Sequence, residues 1–214
     1  MGLNLILVRH GRTAWNRDVR FRGRMDLPLD DFGLAQAQAV AQAIRERWPQ
    51  VAAVYASPLL RAQQTAQPIA AELDLVVQQE PGLLDIDYGS WTGKTPAEAE
   101  VEDPNRYLLW RSHPQQVRFP EGESLSQVQD RLVAMLKLHA NVHVGQQIVL
   151  VGHLVVNRVL LCTVLGLGLE GYWRLGQNNA AINLLEYQDG GGLVRCLNDT
   201  CHLRQGQLQG GSNV

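Results

Sequence analysis

The chain has 214 residues, 45% of them hydrophobic, and a formal net charge of −2 at pH 7. Its length fits one domain with a sizeable core, and its slightly acidic balance argues against nucleic-acid binding, which needs a basic surface. Three scattered cysteines without a CxxC pair argue against a disulfide framework and a zinc ribbon. No apolar run reaches the length of a membrane span, so we expect a cytoplasmic protein that binds no membrane.

The first half of the chain alternates short apolar runs with amphipathic segments. The apolar runs predict buried strands over Leu3–Val8, Val51–Ala56 and Leu75–Gln79. Helices are predicted between them, over Leu34–Trp48 and from Ser57-Pro58 to Leu73. Asp30 or Asp31 caps the first helix, and Pro58 suits the first turn of the second. Glycine, proline and charged residues predict a loop over residues 11–29.

The second half continues this alternation after an irregular segment. Residues 81–123 contain one short predicted helix, over Pro104–Trp110, and a long irregular segment of this kind indicates a lid insertion, here at about residues 90–123. The later predicted elements are a helix capped by Ser124 with an apolar stripe from Leu125 to His139, a strand at Ile148–Val151, a helix at Val155–Leu165, and strands at Ile182–Tyr187 and Leu193–Leu197. Asp189–Gly192 predicts a hairpin turn. The apolar segment Leu160–Cys162 fits either the core or a homodimer interface.

Strands that alternate with helices predict an α/β fold, a three-layer α/β/α sandwich with a mostly parallel central sheet. We expect a single domain over residues 1–204, which includes the lid insertion. Residues 205–214 are rich in glutamine, glycine and serine, and this composition predicts a disordered tail.

Cationic residues follow three of the predicted strands. Arg9 and His10 follow the first strand, and His153 follows the fourth. Arg61 lies in the first turns of the helix after the second strand. Because the carboxyl ends of parallel strands lie at one edge of a sheet, these side chains are expected to converge. Arginine forks match phosphoryl oxygens, and a histidine with one free ring nitrogen is a competent nucleophile.

Three motifs in this order resemble those of the histidine phosphatase (phosphoglycerate mutase-like) superfamily. Leu7-Val-Arg9-His10-Gly11-Arg-Thr13 resembles its RHG signature, and Val151-Gly-His153 resembles its second histidine motif. Ser57-Pro-Leu-Leu-Arg61-Ala-Gln-Gln-Thr65 resembles its second arginine motif. The RHG signature alone is weak evidence, but three ordered motifs, each at a predicted strand end, are specific together.

The resemblance implies a phosphatase that needs neither a metal nor a cofactor. It implies that His10 attacks phosphorus and forms a phosphohistidine. The phosphoryl oxygens are then held by Arg9, Arg61 and His153. Asn16 is implied to donate a further hydrogen bond, and Gly11 to let the backbone approach closely. The second ring nitrogen of His10 is expected to donate to a carbonyl that the sequence does not identify.

The leaving oxygen also needs a proton, and the attacking water must lose one. The family commonly has glutamate in a segment like Leu-x-Glu-x-x-Phe/Tyr-Gly, and the corresponding residue here is Asp85. This is a departure, because aspartate is shorter by one methylene group. Asp85 is implied as the proton donor and acceptor, with Asp87 as the alternative. Glu123 either orients a pocket arginine or is an acidic residue favoured at a helix start.

Two further departures concern the substrate. Relatives often have two glycines after the second histidine, whereas this chain has Leu154-Val155, which adds bulk near the phosphate but leaves the backbone N–H groups available. Phosphatase-like members tend to have Gln or Thr before the glycine of Phe21-Arg22-Gly23. Arg22 either adds positive charge for an anionic part of the substrate or is a solvated loop residue. Candidates for phosphate or substrate binding are therefore Arg22, Gly23 and Leu154.

The sequence favours a phosphatase whose partner is a small, soluble phosphate ester. A cofactor-dependent phosphoglycerate mutase is the first alternative, because it shares the phosphoenzyme but returns the phosphoryl group to the substrate. The short lid and the departures at Arg22, Asp85 and Leu154 favour hydrolysis. A non-catalytic phosphate-binding protein on the same fold is the second alternative, and the change to Asp85 motivates it.

Overall fold

A computed structural model describes residues 2–188, 190–204 and 208. The strands are β1 Leu3–Arg9, β2 Ala53–Ala56, β3 Val77–Gln79, β4 Gln147–Gly152, β5 Ile182–Gln188 and β6 Gly191–Asp199. They form one six-stranded sheet in the order β3-β2-β4-β1-β5-β6. The first four strands in this order are mutually parallel, and β5 and β6 are antiparallel additions. The predicted mostly parallel sheet and its late hairpin are confirmed.

Helices cover both faces of the sheet. They are α1 Ala14–Arg17, α2 Asp31–Arg47, α3 Leu60–Glu72, α4 Pro96–Glu102, α5 Pro104–Ser112, α6 Leu125–Val142 and α7 Leu154–Leu165. On one face α2 and α3 bury Ile44 and Ile69, and on the other α6 and α7 bury Leu132 and Leu160. Successive side chains of β1 belong to the two cores in turn, as in a strand buried on both faces. The predicted three-layer sandwich is confirmed.

Helix α3 begins later than the predicted start at Ser57-Pro58. Leu59 still has an extended backbone, and the Leu60 N–H donates to Asp26 Oδ1 at 2.6 Å. The helix is therefore capped by a side chain from a distant loop. A local proline signal cannot reveal such a contact, because it depends on how two separate segments pack.

The predicted irregular segment over residues 81–123 is more helical than expected. It contains α4 as well as α5, and short 3-10 turns at 81–83, 89–91 and 114–116. Thr95 and Glu98 form a reciprocal capping box that starts α4. Trp110 of α5 packs against the rings of Phe119, Tyr172 and Trp173. These aromatic contacts hold the segment against the main core.

The packing corrects one local prediction and decides between two alternatives for another segment. Helix α1 interrupts the predicted loop over residues 11–29, where a capping box formed by Thr13 and Asn16 nucleates a single turn. Leu160–Cys162 is fully buried inside the chain. This segment therefore belongs to the core, and it gives no support to a homodimer interface.

The remaining predictions concern the end of the chain. Of the predicted tail, only Leu208 lies within the described residues, and its carbonyl accepts a hydrogen bond from Gln36 Nε2 at 3.0 Å. The rest of the tail and Asp189 of the predicted hairpin turn lie outside the described residues. Within the described ranges, no helix has both the length and the apolar character needed to cross a membrane.

The loop after β1 packs directly on the first turn of α2. A Cβ atom added to Gly11 would lie 2.5 Å from the Gly33 carbonyl oxygen, and one added to Gly33 would lie 2.1 Å from the Arg12 carbonyl oxygen. Asp30 is the cap of α2, since its Oδ1 accepts from the Gly33 N–H at 2.8 Å. The start of α2 therefore fixes the path of the backbone that follows the first strand.

We expect Gly33→Ala to lower the free energy of unfolding by about 1–3 kcal/mol, the usual cost of overpacking a tight site. The sign of this change tests the packing, because replacing glycine by alanine in an ordinary helix raises the free energy of unfolding by about 0.5–1 kcal/mol. Urea denaturation followed by circular dichroism measures the change. The control Gln38→Ala, at an exposed position of the same helix, should change stability by less than about 0.5 kcal/mol. A stabilised Gly33→Ala protein would contradict the packing described.

Candidate active site

Strand pairing brings three of the predicted site residues to one edge of the sheet. β1 and β4 lie side by side, with Arg9 opposite Gly152. The His10 N–H donates to the Gly152 carbonyl at 3.0 Å, and the rings of His10 and His153 have centroids 5.3 Å apart. The side chains of Arg9, His10 and His153 are all buried. The convergence predicted from the strand ends is therefore observed.

The ring of His10 is held by the next residue in the chain. His10 Nδ1 lies 2.6 Å from the Gly11 carbonyl oxygen. Because a carbonyl only accepts, Nδ1 carries the proton and donates, and the lone pair lies on Nε2. Nε2 is buried and has no hydrogen-bond partner among the described residues. Asn179 Nδ2 donates to the His10 carbonyl at 3.1 Å, and the Gly11 N–H donates to Thr65 Oγ1 at 3.0 Å. The acceptor that the sequence left open is thus the Gly11 carbonyl.

Backbone carbonyls hold the two predicted arginines. Arg61 donates from Nη1 to the Met25 carbonyl at 2.7 Å and from Nη2 to the Gly23 carbonyl at 2.8 Å. Arg9 donates from Nη1 to the Gln177 carbonyl. Nε and Nη2 of Arg9 and Nε of Arg61 are buried without a partner in the described part of the chain. Burial lowers the pKa of both arginines, but a guanidinium stays charged at neutral pH, so the site keeps a concentrated positive charge.

His153 marks the start of α7. Its backbone is extended and it occupies the N-cap position of the helix. Both ring nitrogens are buried without a hydrogen-bond partner among the described residues, and Nδ1 lies 3.9 Å from Asp85 Oδ2. The N–H groups of the first turn, which begins at Leu154, have no acceptor within the helix. The positive end of the α7 dipole is therefore at the site and favours an anion there.

Burial and positive charge keep both histidines neutral. Burial has the largest effect on the pKa of His10, and the charges of Arg61 and Arg9 come next; together they lower it well below its usual value. The Gly11 carbonyl opposes this shift but does not outweigh it. Burial and Arg61 likewise lower the pKa of His153. At neutral pH, His10 Nε2 is therefore unprotonated, as an attacking nitrogen must be.

Asp85 and Asp87 have different surroundings. Asp85 is 5% exposed, with Oδ2 accepting from Arg61 Nη2 at 3.1 Å and Oδ1 accepting from the Ile86 N–H at 3.0 Å. Burial raises the pKa of Asp85, and Arg61 opposes that shift. Asp87 is partly exposed, and its Oδ1 accepts from the Gly89 N–H at 2.9 Å within a turn. The structure therefore brings Asp85 to His153 and Arg61 and leaves Asp87 in a turn outside the site.

Glu123 holds the loop that carries Asp85. Its Oε1 accepts from Arg24 Nη2 at 2.9 Å and its Oε2 accepts from Arg131 Nη2 at 3.3 Å. Arg24 and Arg131 also donate to the Asp85 carbonyl, each at 3.4 Å. Oε2 accepts from the Asp87 N–H at 3.1 Å as well. Glu123 thus orients two arginines that lie behind Asp85, and neither is one of the predicted pocket arginines.

The segment around α1 contributes the remaining predicted residues. Asn16 is buried, and its Oδ1 accepts from the N–H and the hydroxyl of Thr13 at 3.0 and 2.9 Å, which turns Nδ2 away from Thr13. Arg22 donates from Nη1 to the Trp15 carbonyl at 3.2 Å. Burial is the main cause that lowers the pKa of Arg22. Gly23 has a φ of +48°, a conformation that favours glycine.

A cleft opens beside these residues. Its lining consists of Val19, Arg20, Phe21, Arg22, Asp85, Tyr88, Pro96, Leu154 and Val155. Leu154 and Val155 therefore narrow the cleft next to His153, as their added bulk predicts. Arg22 lies at the cleft and not in an outer solvated loop. Concave sites with apolar walls and a few polar groups suit small ligands.

Three buried amide side chains support the site and carry no motif. Asn183 Nδ2 donates to the Leu7 carbonyl at 3.0 Å, and Gln177 Nε2 donates to Asn183 Oδ1 at 2.7 Å. The Gln177 carbonyl also holds Arg9, and Asn179 holds the backbone after β1. Sequence analysis did not identify these residues. The one available signal was a run of amides, Gln177-Asn-Asn179, just before an apolar strand.

The charged groups of the site suit an anion. They are arginines and a single carboxylate, Asp85, and arginine donors bind phosphoryl oxygens well. In the described ranges, no group of three or more His, Cys, Asp or Glu side chains is placed to hold a metal ion. The absence of a cofactor remains a prediction.

Comparison with known proteins identifies the family. The model of the histidine phosphatase superfamily (branch 1) matches residues 5–200. A phosphoserine phosphatase 1 of Hydrogenobacter thermophilus is 34% identical over 201 residues, covering 94% of this chain and 94% of that protein. A probable phosphoglycerate mutase GpmB of Yersinia pestis is 31% identical over 206 residues, covering 94% of this chain and 95% of that protein. The structure of a mycobacterial glucosyl-3-phosphoglycerate phosphatase in complex with VO3 has a TM-score of 0.84 at 26% identity, covering 92% of this chain and 99% of that one. With this match over nearly its whole length, the chain belongs to the histidine phosphatase superfamily.

Proposed function

We propose that the chain is a phosphatase that hydrolyses small cytoplasmic phosphomonoesters through a phosphohistidine on His10. The observation that carries this proposal is the state of the His10 ring. Its Nδ1 donates to the Gly11 carbonyl, and its Nε2 is buried and unpartnered among the described residues. A neutral nitrogen fixed in one tautomer attacks phosphorus without first losing a proton.

In the first step, His10 Nε2 attacks phosphorus while the bond from phosphorus to the ester oxygen breaks. The unpartnered donors of Arg9, Arg61 and His153 bind the phosphoryl oxygens and stabilise the charge of the transition state. Asp85, whose pKa is raised by burial, gives its proton to the leaving oxygen. The products of this step are the free alcohol, a phosphohistidine and an ionised Asp85.

In the second step, water enters where the alcohol has left. The Asp85 carboxylate takes a proton from this water as its oxygen attacks phosphorus, and the bond to His10 Nε2 breaks. Inorganic phosphate is released, His10 regains its lone pair and Asp85 regains its proton. One carboxyl group therefore serves as acid and then as base.

The narrow cleft favours hydrolysis over mutase activity. A mutase transfers its phosphoryl group from histidine to the bound monophosphate, and the resulting bisphosphate must turn in the site before its other phosphoryl group passes back to histidine. Leu154 and Val155 fill space next to His153, which leaves less room for such a turn. The H. thermophilus relative carries the name of a phosphatase, and the Y. pestis relative is named a probable mutase.

The function is tested by comparing wild type and His10→Ala on 4-nitrophenyl phosphate and on 3-phosphoglycerate. We expect the wild type to release inorganic phosphate from both esters and His10→Ala to lose this activity by at least about 10³-fold, the scale seen when a nucleophile is removed. Rapid conversion to 2-phosphoglycerate with negligible phosphate release would show a mutase. An inactive wild type that still binds phosphate would show a non-catalytic binding protein.

Asp85→Asn is expected to lower kcat by about 10²- to 10⁴-fold on an alkyl phosphate, the usual range for a general acid. The rate of the first step should fall less on 4-nitrophenyl phosphate, because nitrophenolate leaves without needing a proton. Stopped-flow measurements should then show a burst of nitrophenol followed by slow turnover, since Asp85 is also needed to activate water. Asp87→Asn is the matched control and should stay within about threefold of wild type. A larger loss in Asp87→Asn would assign the proton transfer to Asp87.

Glu123→Gln should move the alkaline limb of the kcat profile to lower pH. The active form needs a protonated Asp85, so activity is lost as pH rises through its pKa. Arg131 lowers that pKa, and without Glu123 the charges of Arg24 and Arg131 are no longer balanced. The carboxylate of Asp85 is then stabilised and its pKa falls. A pH–rate profile measures the shift, and Glu121→Gln, an exposed acid in the same turn, serves as the control. If the alkaline limb of the kcat profile stays at the same pH in Glu123→Gln, Glu123 does not tune the pKa of Asp85 and has only a structural role.

A further inference from the structure

The site holds more positive charge than a phosphoryl group alone requires. Both histidines are neutral for the reasons given above, and Arg9, Arg22 and Arg61 carry three positive charges around them. A further buried arginine, Arg158, donates to the Leu175 carbonyl and lies against the rings of Tyr172 and Trp173, outside the lining of the cleft. Asp85 must be protonated to act as the acid in the proposed function. Three positive charges then face the two negative charges of a phosphate ester, and one positive charge remains without a counterpart.

Arg22 is the arginine that carries this surplus charge on the leaving-group side. It lines the cleft, whereas Arg9 and Arg61 do not. Its Nη1 is held by the neutral Trp15 carbonyl, and its Nε is buried without a partner among the described residues. In the described part of the chain, Arg22 makes no ion pair within 4.0 Å. Its orientation is therefore fixed without its charge being neutralised.

Neither of the other charged residues in the cleft changes this balance. Asp85 accepts hydrogen bonds from Arg61 and from the Ile86 N–H, and in the proposed function its proton goes to the leaving oxygen. Arg20 donates to the Gly93 carbonyl, and Glu98 lies 3.6 Å from its Nη1, so its charge is balanced at the rim. Among the described residues that line the cleft, Asp85 is the only carboxylate.

We propose that Arg22 selects phosphomonoesters whose leaving group carries a carboxylate close to the ester oxygen. This inference rests on the phosphatase function proposed above. One carboxylate matches the single surplus charge, and its planar shape suits a guanidinium. The carbon part of the leaving group packs against Leu154 and Val155. An ammonium group in the same place is repelled by the positive charge of Arg22. No free carboxylate lines the described part of the cleft to offset that repulsion.

A series of three-carbon esters tests the proposal at nearly constant size. Glycerol 3-phosphate has a neutral hydroxymethyl group where 3-phosphoglycerate has a carboxylate. O-phosphoserine keeps that carboxylate and has an ammonium group in place of the neighbouring hydroxyl. We expect kcat/KM for 3-phosphoglycerate to exceed that for glycerol 3-phosphate by about 10- to 100-fold, the range of one charge-assisted hydrogen bond. O-phosphoserine should be slower than 3-phosphoglycerate.

Substitution of Arg22 separates a specificity role from a general one. In Arg22→Gln the ratio of kcat/KM between 3-phosphoglycerate and glycerol 3-phosphate should fall to near one, because only the carboxylate ester loses a direct partner. Arg22→Lys should retain part of the ratio, because the charge stays and the planar fork is lost. Arg20→Gln is the matched control, since it removes a balanced arginine from the same cleft, and its ratio should stay at the wild-type value.

Two results would overturn the proposal. The first is a wild type that hydrolyses 3-phosphoglycerate and glycerol 3-phosphate equally well. The second is an Arg22→Gln protein in which both activities fall by the same factor, so that their ratio is unchanged. This result would place Arg22 on the phosphoryl group itself. Either result leaves the proposed function intact if wild type still releases phosphate and His10→Ala does not. Thermal unfolding of each variant identifies a change that comes from misfolding.

Discussion

The hydrogen bond from His10 Nδ1 to the Gly11 carbonyl is the contact on which the site depends. It places the lone pair on Nε2, the nitrogen that we propose attacks phosphorus. The acceptor is a backbone atom, so its position is set by packing and not by the rotamer of another side chain. Gly33 packs against Gly11 from one side, and Thr65 accepts its N–H from another. A reactive nitrogen is thus oriented by the close approach of a strand end and two helices.

Backbone carbonyls also orient the three arginines of the site. Arg9, Arg22 and Arg61 each donate to at least one backbone carbonyl. A carbonyl orients a guanidinium without cancelling its charge, whereas a carboxylate would do both. Among these three and within the described residues, only Arg61 also pairs with a carboxylate, that of Asp85. The fold therefore concentrates positive charge in a buried place while the chain as a whole stays slightly acidic, and an anionic substrate relieves the repulsion.

The groups proposed to perform the reaction and those proposed to select its substrate lie on different parts of the fold. His10 and His153 follow neighbouring strands at the centre of the sheet, where the geometry is rigid. Asp85 lies on a loop after an edge strand, held by arginines that Glu123 orients. The cleft in front is lined by side chains from several loops and from the start of α7, including Arg22. Substitutions in the cleft can therefore change the substrate without disturbing the nucleophile.

The sequence by itself determined the alternation of strands and helices, the strand ends that carry Arg9, His10 and His153, and the family. These follow from local apolar patterns and from motifs that lie within a few residues of each other. Only the tertiary structure decided that the carbonyl of Gly11 orients the nucleophile, that Asp85 and not Asp87 reaches the site, and that Arg22 lines the cleft. It also showed that Gln177 holds Arg9 and that Asn179 holds the backbone after β1, although no motif marks either residue. The Gly11 carbonyl is the neighbour of His10 in the chain, but Gly33 and Thr65 hold the backbone there. These contacts and the others join segments that are far apart in the chain, and they form only when the layers of the fold pack together.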